Sequence, residues 1–406
     1  MNEDKTVSDA KTVNRPAVAV VGLGTMGAGI VEVFAKGGHP VIGIEYDDAA
    51  VERGRGILQK STDRAVSKGK LDPDGQRALL ERITFTTDTG EAAGAAVVVE
   101  AVSENLELKK SIFAKLDAVV ADDAVLATNT SSLSITEIAA ATAHPERVVG
   151  VHFFNPAPVQ TLVELINTVH TAPAAVDRMD TLLRSLGKNP IRCGDRAGFI
   201  VNHLLITYLN RAITLYQNGF AGRDEFDAAM VERAGYPMGP FTLLDLVGLD
   251  VTLAVVERLW DESRDRVHAP AGLLRQLVAA GFLGRKSGRG FHDYTEGATT
   301  PPPVPDPVRS RIDELPEAVV LPHLNDALRM VEQGFASPAD IDTGMAEGCR
   351  MPKPFDVLAE RGPAAVLAGQ LAIFDETAEP SHRPCRLLTE LGRSEDPAAA
   401  LAELRR

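Results

Sequence analysis

His152 stands at the end of an apolar run, Val148-Val-Gly-Val151, and is followed by Phe153-Phe154. Oxidation of an alcohol by hydride transfer needs a base of near-neutral pKa at the hydroxyl oxygen, and an imidazole meets that need. Glu164 comes twelve residues later on Leu162-Val-Glu-Leu-Ile166, a run suited to the neighbouring strand. Paired with the imidazole, that carboxylate would fix its tautomer and stabilise the imidazolium. Taken alone, a histidine at a strand end also fits a structural residue, and the glutamate an ordinary salt bridge. Ser131 and Asn202 offer a hydroxyl and a carboxamide, groups that donate to a carbonyl oxygen as charge develops on it. Ser134-Ile-Thr-Glu137 reads as a capping box before a helix from Ile138 to Ala143, leaving Ser131 on the preceding turn to face a cleft. Asn202 falls just inside a helix that begins near Ala197-Gly-Phe-Ile200; by itself it fits a surface or capping residue equally well.

A redox partner for this chemistry is indicated near the N-terminus. Gly22-Leu-Gly24-Thr-Met-Gly27 follows the apolar run Val18 to Val21 and opens an amphipathic stretch from Ala28 to Lys36. In a strand–turn–helix setting, Gly22 makes the tight turn, Gly24 admits a pyrophosphate and Gly27 lets helix and strand sit close. Gly22, Gly24, Thr25, Met26 and Gly27 are therefore expected at the cofactor, with phosphates on the helix N-terminus. A second strand, His39 to Ile44, ends at Glu45, eighteen residues beyond Gly27. A carboxylate there accepts from the ribose hydroxyls and repels a 2′-phosphate; Asp47 and Asp48 add to the repulsion. The cofactor expected is NAD rather than NADP. A solvated acidic turn is the alternative reading of these three carboxylates.

Residues 15–196 alternate β-branched runs with helical stretches, the pattern of a parallel α/β sheet, with Val97–Val102 and Ala124–Ala127 as buried strands. From Gly198 helical periodicity takes over, as in Leu204–Leu209 and Phe241–Val247, and a helical domain spans 197–294. The Pro-rich stretch within 295–314 reads as an extended linker. Beyond it lies a repeat. Leu209-Asn210, Gly219-Phe220-Ala221, Asp227 and Met230 recur 115 residues later as Leu324-Asn325, Gly334-Phe335-Ala336, Asp342 and Met345. Residues 315–396 thus read as a second, degenerate helical copy, with Glu317 where the first has Asn202. Its expected task is to cover an apolar face of the first copy, as a second subunit would.

The bulk properties suit an enzyme of two or three domains: 406 residues, 45% hydrophobic and 24% charged. A net charge of −14 argues against nucleic acid and anionic membranes as partners. Cys193, Cys349 and Cys385 show no metal-ligand spacing and no disulfide framework, so no metal and a cytoplasmic location are expected. Residues 1–14 are polar, without a secretory core, and are expected to form a disordered tail.

Several longer motifs occur in one order. They are Gly22–Gly27, Glu100-Ala-Val-Ser-Glu-Asn105, Asn129-Thr-Ser-Ser-Leu-Ser-Ile135, His152-Phe-Phe-Asn-Pro156, Gly198-Phe-Ile-Val-Asn202 and Gly235-Tyr-Pro-Met-Gly-Pro-Phe241. With them the chain resembles the L-3-hydroxyacyl-CoA dehydrogenase family from Ala17 to Tyr294, and Leu315 to Gly392 resembles a second copy of that family's C-terminal domain. The resemblance implies an α/β Rossmann-type NAD-binding domain followed by two all-α, 6-phosphogluconate-dehydrogenase-like C-terminal copies. It implies interconversion of L-3-hydroxyacyl-CoA, short-chain and 3-hydroxybutyryl-CoA-like, with 3-oxoacyl-CoA. His152 would be the catalytic histidine, Glu164 its partner, and Ser131 and Asn202 the oxygen-holding groups. Glu104, Lys109, Ser131 and Asn155 would line the nicotinamide half, with Ser61 and Lys68 near the CoA.

Three departures from the family pattern stand out. Gln160 and Thr161 replace an apolar residue and a cation before Glu164, and His203 stands where an arginine is common. The helical unit is also duplicated. The first two leave a polar hydroxyacyl thioester or a carrier-protein thioester open as alternatives. The third leaves monomer and homodimer both open. A non-catalytic NAD-binding protein is the reading from another class. A different hydroxy-acid dehydrogenase would be expected to offer a lysine in place of the His152–Glu164 pair.

Overall fold

The computed structural model describes residues 15–296, 304, 306–307 and 309–406. The tail expected at 1–14 lies outside them, as does much of the Pro-rich stretch. From Val18 the chain alternates strands and helices: β1 (Val18–Val21), α1 (Thr25–Lys36), β2 (Val41–Ile44), α2 (Asp48–Ser67), α3 (Pro73–Leu80), β3 (Ile83–Thr86), β4 (Val97–Glu100), α4 (Leu106–Asp117), β5 (Val125–Thr128) and α5 (Ile135–Ala139). There follow β6 (Val148–Phe153), β7 (Leu162–Asn167), α6 (Pro173–Ser185) and β8 (Asn189–Gly194). Strands β1, β4 and β5 are buried along their whole length, which is why they read as unbroken apolar runs. Ser134 does cap a helix, accepting from the Glu137 N–H at 3.2 Å, but α5 starts at once and ends at Ala139. The expected span of Ile138 to Ala143 is too late.

One eight-stranded sheet results, in the order β3-β2-β1-β4-β5-β6-β7-β8. The first six strands are parallel, so their carboxyl ends share an edge. The order reverses between β1 and β4, where a crevice forms above the strand ends. The parallel pattern read from the sequence holds for these six strands, and the last two depart from it. β7 runs antiparallel to β6, and β8 is parallel to β7. Only eight residues separate Phe153 from Leu162, whereas a parallel return needs a crossover of about a dozen or more.

The first helical unit holds α7 (Val201–Gln217), α8 (Arg223–Glu232), α9 (Pro240–Val247), α10 (Leu249–Ser263) and α11 (Gly272–Ala279). The second holds α12 (Leu315–Glu332), α13 (Pro338–Thr343) running into a π-helical turn Gly344–Gly348, α14 (Pro354–Arg361), α15 (Pro363–Thr377), α16 (Arg386–Arg393) and α17 (Pro397–Leu404). The repeated residues do the same work in both. Asn210 bridges Ala269 O and Ala271 N, as Asn325 bridges Arg383 O and Cys385 N. Asp227 and Asp342 each accept from the backbone N–H of a phenylalanine, Phe241 and Phe355. Helix α17 lies beyond the expected end at residue 396, and Arg405 fastens it to Asp342 at 3.3 Å.

One hydrophobic core runs through both units and one face of the sheet, with α12 packed on α7. The second unit also reaches the sheet edge, where Gly194 N–H donates to Phe335 O at 3.1 Å. The described part of the linker is held rather than free-standing: Val304 exchanges hydrogen bonds with the Tyr216 hydroxyl at 3.0 Å.

Candidate active site

The glycine turn fits a dinucleotide on its own geometry. Gly22 has φ +90°, and a Cβ there would lie 2.8 Å from Val102 N. A Cβ on Gly27 would fall 1.7 Å from Gly22 O, whereas one on Gly24 would meet nothing within 4 Å. The first and third glycines thus close the turn, and the second leaves open space above it. Helix α1 starts there with no side-chain cap, its first N–H groups free for an anion. Thr25 is exposed and Met26 half-buried at that end. Glu45, at the end of β2, accepts from Leu23 N–H of the turn at 2.6 Å, which holds its carboxylate over the crevice.

Beyond β4 a buried ion pair organises the next loop. Glu100 accepts from Lys109 Nζ at 2.6 Å, from Val102 N–H and from Thr128 Oγ1. Lys109 also lies 3.6 Å from Glu104, and its side chain is 0% exposed. Its ammonium is thus buried between the two carboxylates, with Val102 O also accepting from it at 3.3 Å. Glu104 gathers the turn after β5, accepting from Thr130 Oγ1 at 2.6 Å, Ser131 N–H at 2.8 Å and Ser131 Oγ at 3.2 Å. Burial disfavours its charge, but Thr130, Lys109 and Ser131 outweigh burial and hold the carboxyl below its usual range. Asn129 accepts from Phe153 N–H at 2.9 Å, joining this turn to the end of β6.

The antiparallel register sets His152 directly across from Glu164. Nδ1 of His152 lies 2.7 Å from Glu164 Oε2. The carboxylate is fully buried; the imidazole is 10% exposed, flanked by Phe154 and Phe199 with ring centroids 4.8 and 5.7 Å away. With the carboxylate accepting, the proton resides on Nδ1 and Nε2 presents its lone pair outward. Glu164 Oε1 accepts twice more, from Ile200 N–H at 3.0 Å and Val201 N–H at 2.9 Å. The N-terminus of α7 thus supports the carboxylate. Asn202 is the next residue, half-buried on that first turn, and its side chain has no hydrogen-bond partner among the described residues.

The remaining candidates fall as follows. Asn155 is exposed just past Phe154. Ser61 is half-buried on α2, near Glu32 of α1, while Lys68 ends α2 as an exposed cation. Thr161 does not face the acyl site: its hydroxyl donates to Glu347 of the second helical copy at 3.0 Å. Gln160 lends its carbonyl to Lys188 Nζ at 2.7 Å. His203 packs edge-on to His268, and burial lowers its pKa to about 3. Glu317, which matches Asn202 in the repeat, pairs with Arg361 at 2.6 Å. Among the described residues no group of three or more His, Cys, Asp or Glu side chains could hold a metal ion, and no single helix is long and apolar enough to cross a membrane.

Sequence reasoning missed Glu100, Asn129 and the backbone donors of Ile200 and Val201. Glu100 had a signal, a carboxylate ending the apolar run Val97-Val-Val99. The backbone donors had none.

Residues 17–196 match the family model described as 3-hydroxyacyl-CoA dehydrogenase, NAD binding domain. Residues 198–294, and again 317–400, match 3-hydroxyacyl-CoA dehydrogenase, C-terminal domain. A 3-hydroxybutyryl-CoA dehydrogenase of Mycobacterium tuberculosis (strain CDC 1551 / Oshkosh) is 47% identical over 279 residues, covering 68% of this chain and 98% of the relative. A 3-hydroxyadipyl-CoA dehydrogenase of Escherichia coli (strain K12) is 42% identical over 286 residues, 70% of this chain and 60% of the relative. The crystal structure of 3-hydroxybutyryl-CoA dehydrogenase from Escherichia coli K12 superposes with a TM-score of 0.86 at 31% identity. It covers 94% of this chain and 98% of its own, so the likeness takes in both helical copies.

Proposed function

Because this chain belongs to the 3-hydroxyacyl-CoA dehydrogenase family, we propose that it interconverts short-chain L-3-hydroxyacyl-CoA and 3-oxoacyl-CoA, with His152 as general acid–base. It is an NAD-dependent oxidoreductase. The observation that carries the residue assignment is the 2.7 Å contact of His152 Nδ1 with Glu164, which leaves Nε2 as a base. When bound, NAD supplies the hydride acceptor. In the oxidative direction His152 Nε2 takes the 3-hydroxyl proton, and Glu164 stabilises the imidazolium that forms. The Ser131 hydroxyl and the Asn202 carboxamide hold the oxygen, where they favour the charged transition state. Glu104 acts on this step indirectly by fixing the Ser131 turn. In the reductive direction the same imidazolium returns its proton to the oxygen at C3.

Acyl-CoA is the substrate class, and Lys68 is an exposed cation able to meet a CoA phosphate as a point charge. A polar acyl chain is the second reading, favoured by the likeness to a relative named for 3-hydroxyadipyl-CoA. The second helical copy buries the face of α7 that a partner subunit could otherwise cover, which favours a monomer over a homodimer. A cytoplasmic location suits the three free cysteines.

The test is NADH consumption with acetoacetyl-CoA, run beside NADPH and beside His152→Ala. NADH-specific reduction is expected, and the variant should lose at least about a hundredfold in kcat while still binding NADH. Near-normal activity in the variant would remove His152 from the mechanism. No reaction in the parent with NADH still bound would turn the assignment toward a polar acyl or carrier-protein thioester.

A further inference from the structure

Glu164 can orient His152 only while its second oxygen is itself held, and that oxygen rests on the first turn of α7. What holds that turn comes from the far end of the chain. The π-helical turn Gly344–Gly348 of the second copy lies against Ile200, the N-cap of α7, against Val201 at its start, and against Leu162 and Ile191 of β7 and β8. A Cβ built on Gly348 would lie 2.9 Å from Val201 Cγ1 and 3.1 Å from Leu162 Cδ2. One on Gly344 would lie 3.0 Å from Ile191 Cδ1 and 3.3 Å from Ile200 Cγ2. Leu162 shares a strand face with Glu164, two residues away. Bare backbone therefore touches the residues on both sides of the catalytic carboxylate.

Two further observations separate this contact from ordinary domain packing. Glu347, inside the turn, clasps the sheet with both oxygens, accepting from Thr161 Oγ1 at 3.0 Å and Asn189 Nδ2 at 2.8 Å. In the 115-residue register of the repeat, Gly344 and Gly348 correspond to Ala229, inside the ordinary α-helix α8, and Arg233, its C-cap. The duplicated unit differs from its twin at the two places where it meets the support of Glu164.

We infer that Gly344 and Gly348 are positioning residues for the Glu164–His152 pair, acting through the first turn of α7 and the start of β7. This rests on that pair being the acid–base machinery. A Cβ at position 348 pushes Val201, displaces its N–H from Glu164 Oε1 and turns the carboxylate away from Nδ1. Substrate and cofactor contacts are not touched.

Gly348→Ala in the full chain should lower kcat by about tenfold or more, since sub-ångström misplacement of a reacting group is costly, with KM for acetoacetyl-CoA and NADH within about twofold of the parent. Adding Val201→Ala removes both methyls that the new Cβ meets and should restore most of the lost kcat. Packing with no bearing on catalysis would leave kcat alone, or lower it without rescue. Glu347→Ala, which adds no atoms, serves if Gly348→Ala does not fold, and should also lower kcat at constant KM. Unchanged kcat in the variant measured, or a loss in Gly348→Ala that Val201→Ala does not repair, overturns the inference. His152→Ala separates the two levels: if it is inactive while Gly348→Ala is normal, the inference fails and the acid–base assignment stands. If His152→Ala is active, the assignment itself fails.

Discussion

Replacing Glu164 by glutamine tests the tautomer argument more sharply than removing the side chain. The carboxylate accepts three hydrogen bonds: one from His152 Nδ1 at 2.7 Å, and two from the Ile200 and Val201 N–H groups at 3.0 and 2.9 Å. A carboxamide has one oxygen and one NH2 group. If the oxygen stays with the two backbone donors, the NH2 faces Nδ1 and requires a lone pair there. The imidazole proton then moves to Nε2, where it blocks acceptance of the substrate proton. If the oxygen turns to Nδ1 instead, two buried N–H groups face another donor, at about 1–3 kcal/mol each. The first arrangement costs less, so Glu164→Gln should fold with its base in the wrong tautomer. The same reversal costs a serine-protease histidine about ten-thousandfold, and we expect a loss of about 10³ to 10⁴ in kcat/KM, or about 4 to 5.5 kcal/mol. Steady-state NADH oxidation with acetoacetyl-CoA reads the loss, and fluorescence titration should show NADH affinity unchanged. A loss below about tenfold, with the variant folded, would refute the claim that Glu164 sets the imidazole tautomer.

Glu45→Gln keeps an acceptor at the end of β2 but removes the charge that opposes a 2′-phosphate. The preference of kcat/KM for NADH over NADPH should fall by about tenfold, or about 1.4 kcal/mol, and an unchanged ratio would show that selectivity resides elsewhere. Burial lowers the pKa of His268 and of His323 to about 4, and of His203 to about 3, from 6.5. Below pH 6.5 the unfolded chain takes up these protons and the folded chain does not, so stability is full above that pH and falls toward pH 4. Each such histidine contributes a slope of about 1.4 kcal/mol per pH unit at most. Urea midpoints at pH 7, 6 and 5 should fall in that order, and His268→Gln should flatten the trend; an equally steep fall would rule His268 out as a contributor.

Much of the nucleotide half was legible because its signals are local. The φ of Gly22, the open space at Gly24 and the close approach at Gly27 are demands that the chain must meet within six residues. Glu45 was found by counting to the end of the next strand, and the two helical copies by self-similarity, because duplicated packing keeps Asn210 and Asn325 at equivalent caps. His152 and Glu164 were legible as a pair of residue types at strand-like spacing. The antiparallel β6–β7 register that brings them face to face was not, since that direction depends on how a short connection folds back.

Other assignments depended on neighbours remote in the chain. Thr161 read as a change near the acyl group and turned out to face Glu347, 186 residues away. Lys109 matched a cofactor-lining position, and the packing of α4 on the sheet buries its ammonium between Glu100 and Glu104. The sequence by itself determined the cofactor turn, the residue types of the His152–Glu164 pair and the duplicated helical plan, because side-chain chemistry and spacing carry each of them. Only the tertiary structure decided what holds Glu164. Its supports are the backbone N–H groups of Ile200 and Val201, braced by two glycines of the second copy, and a backbone donor has no signature in residue type.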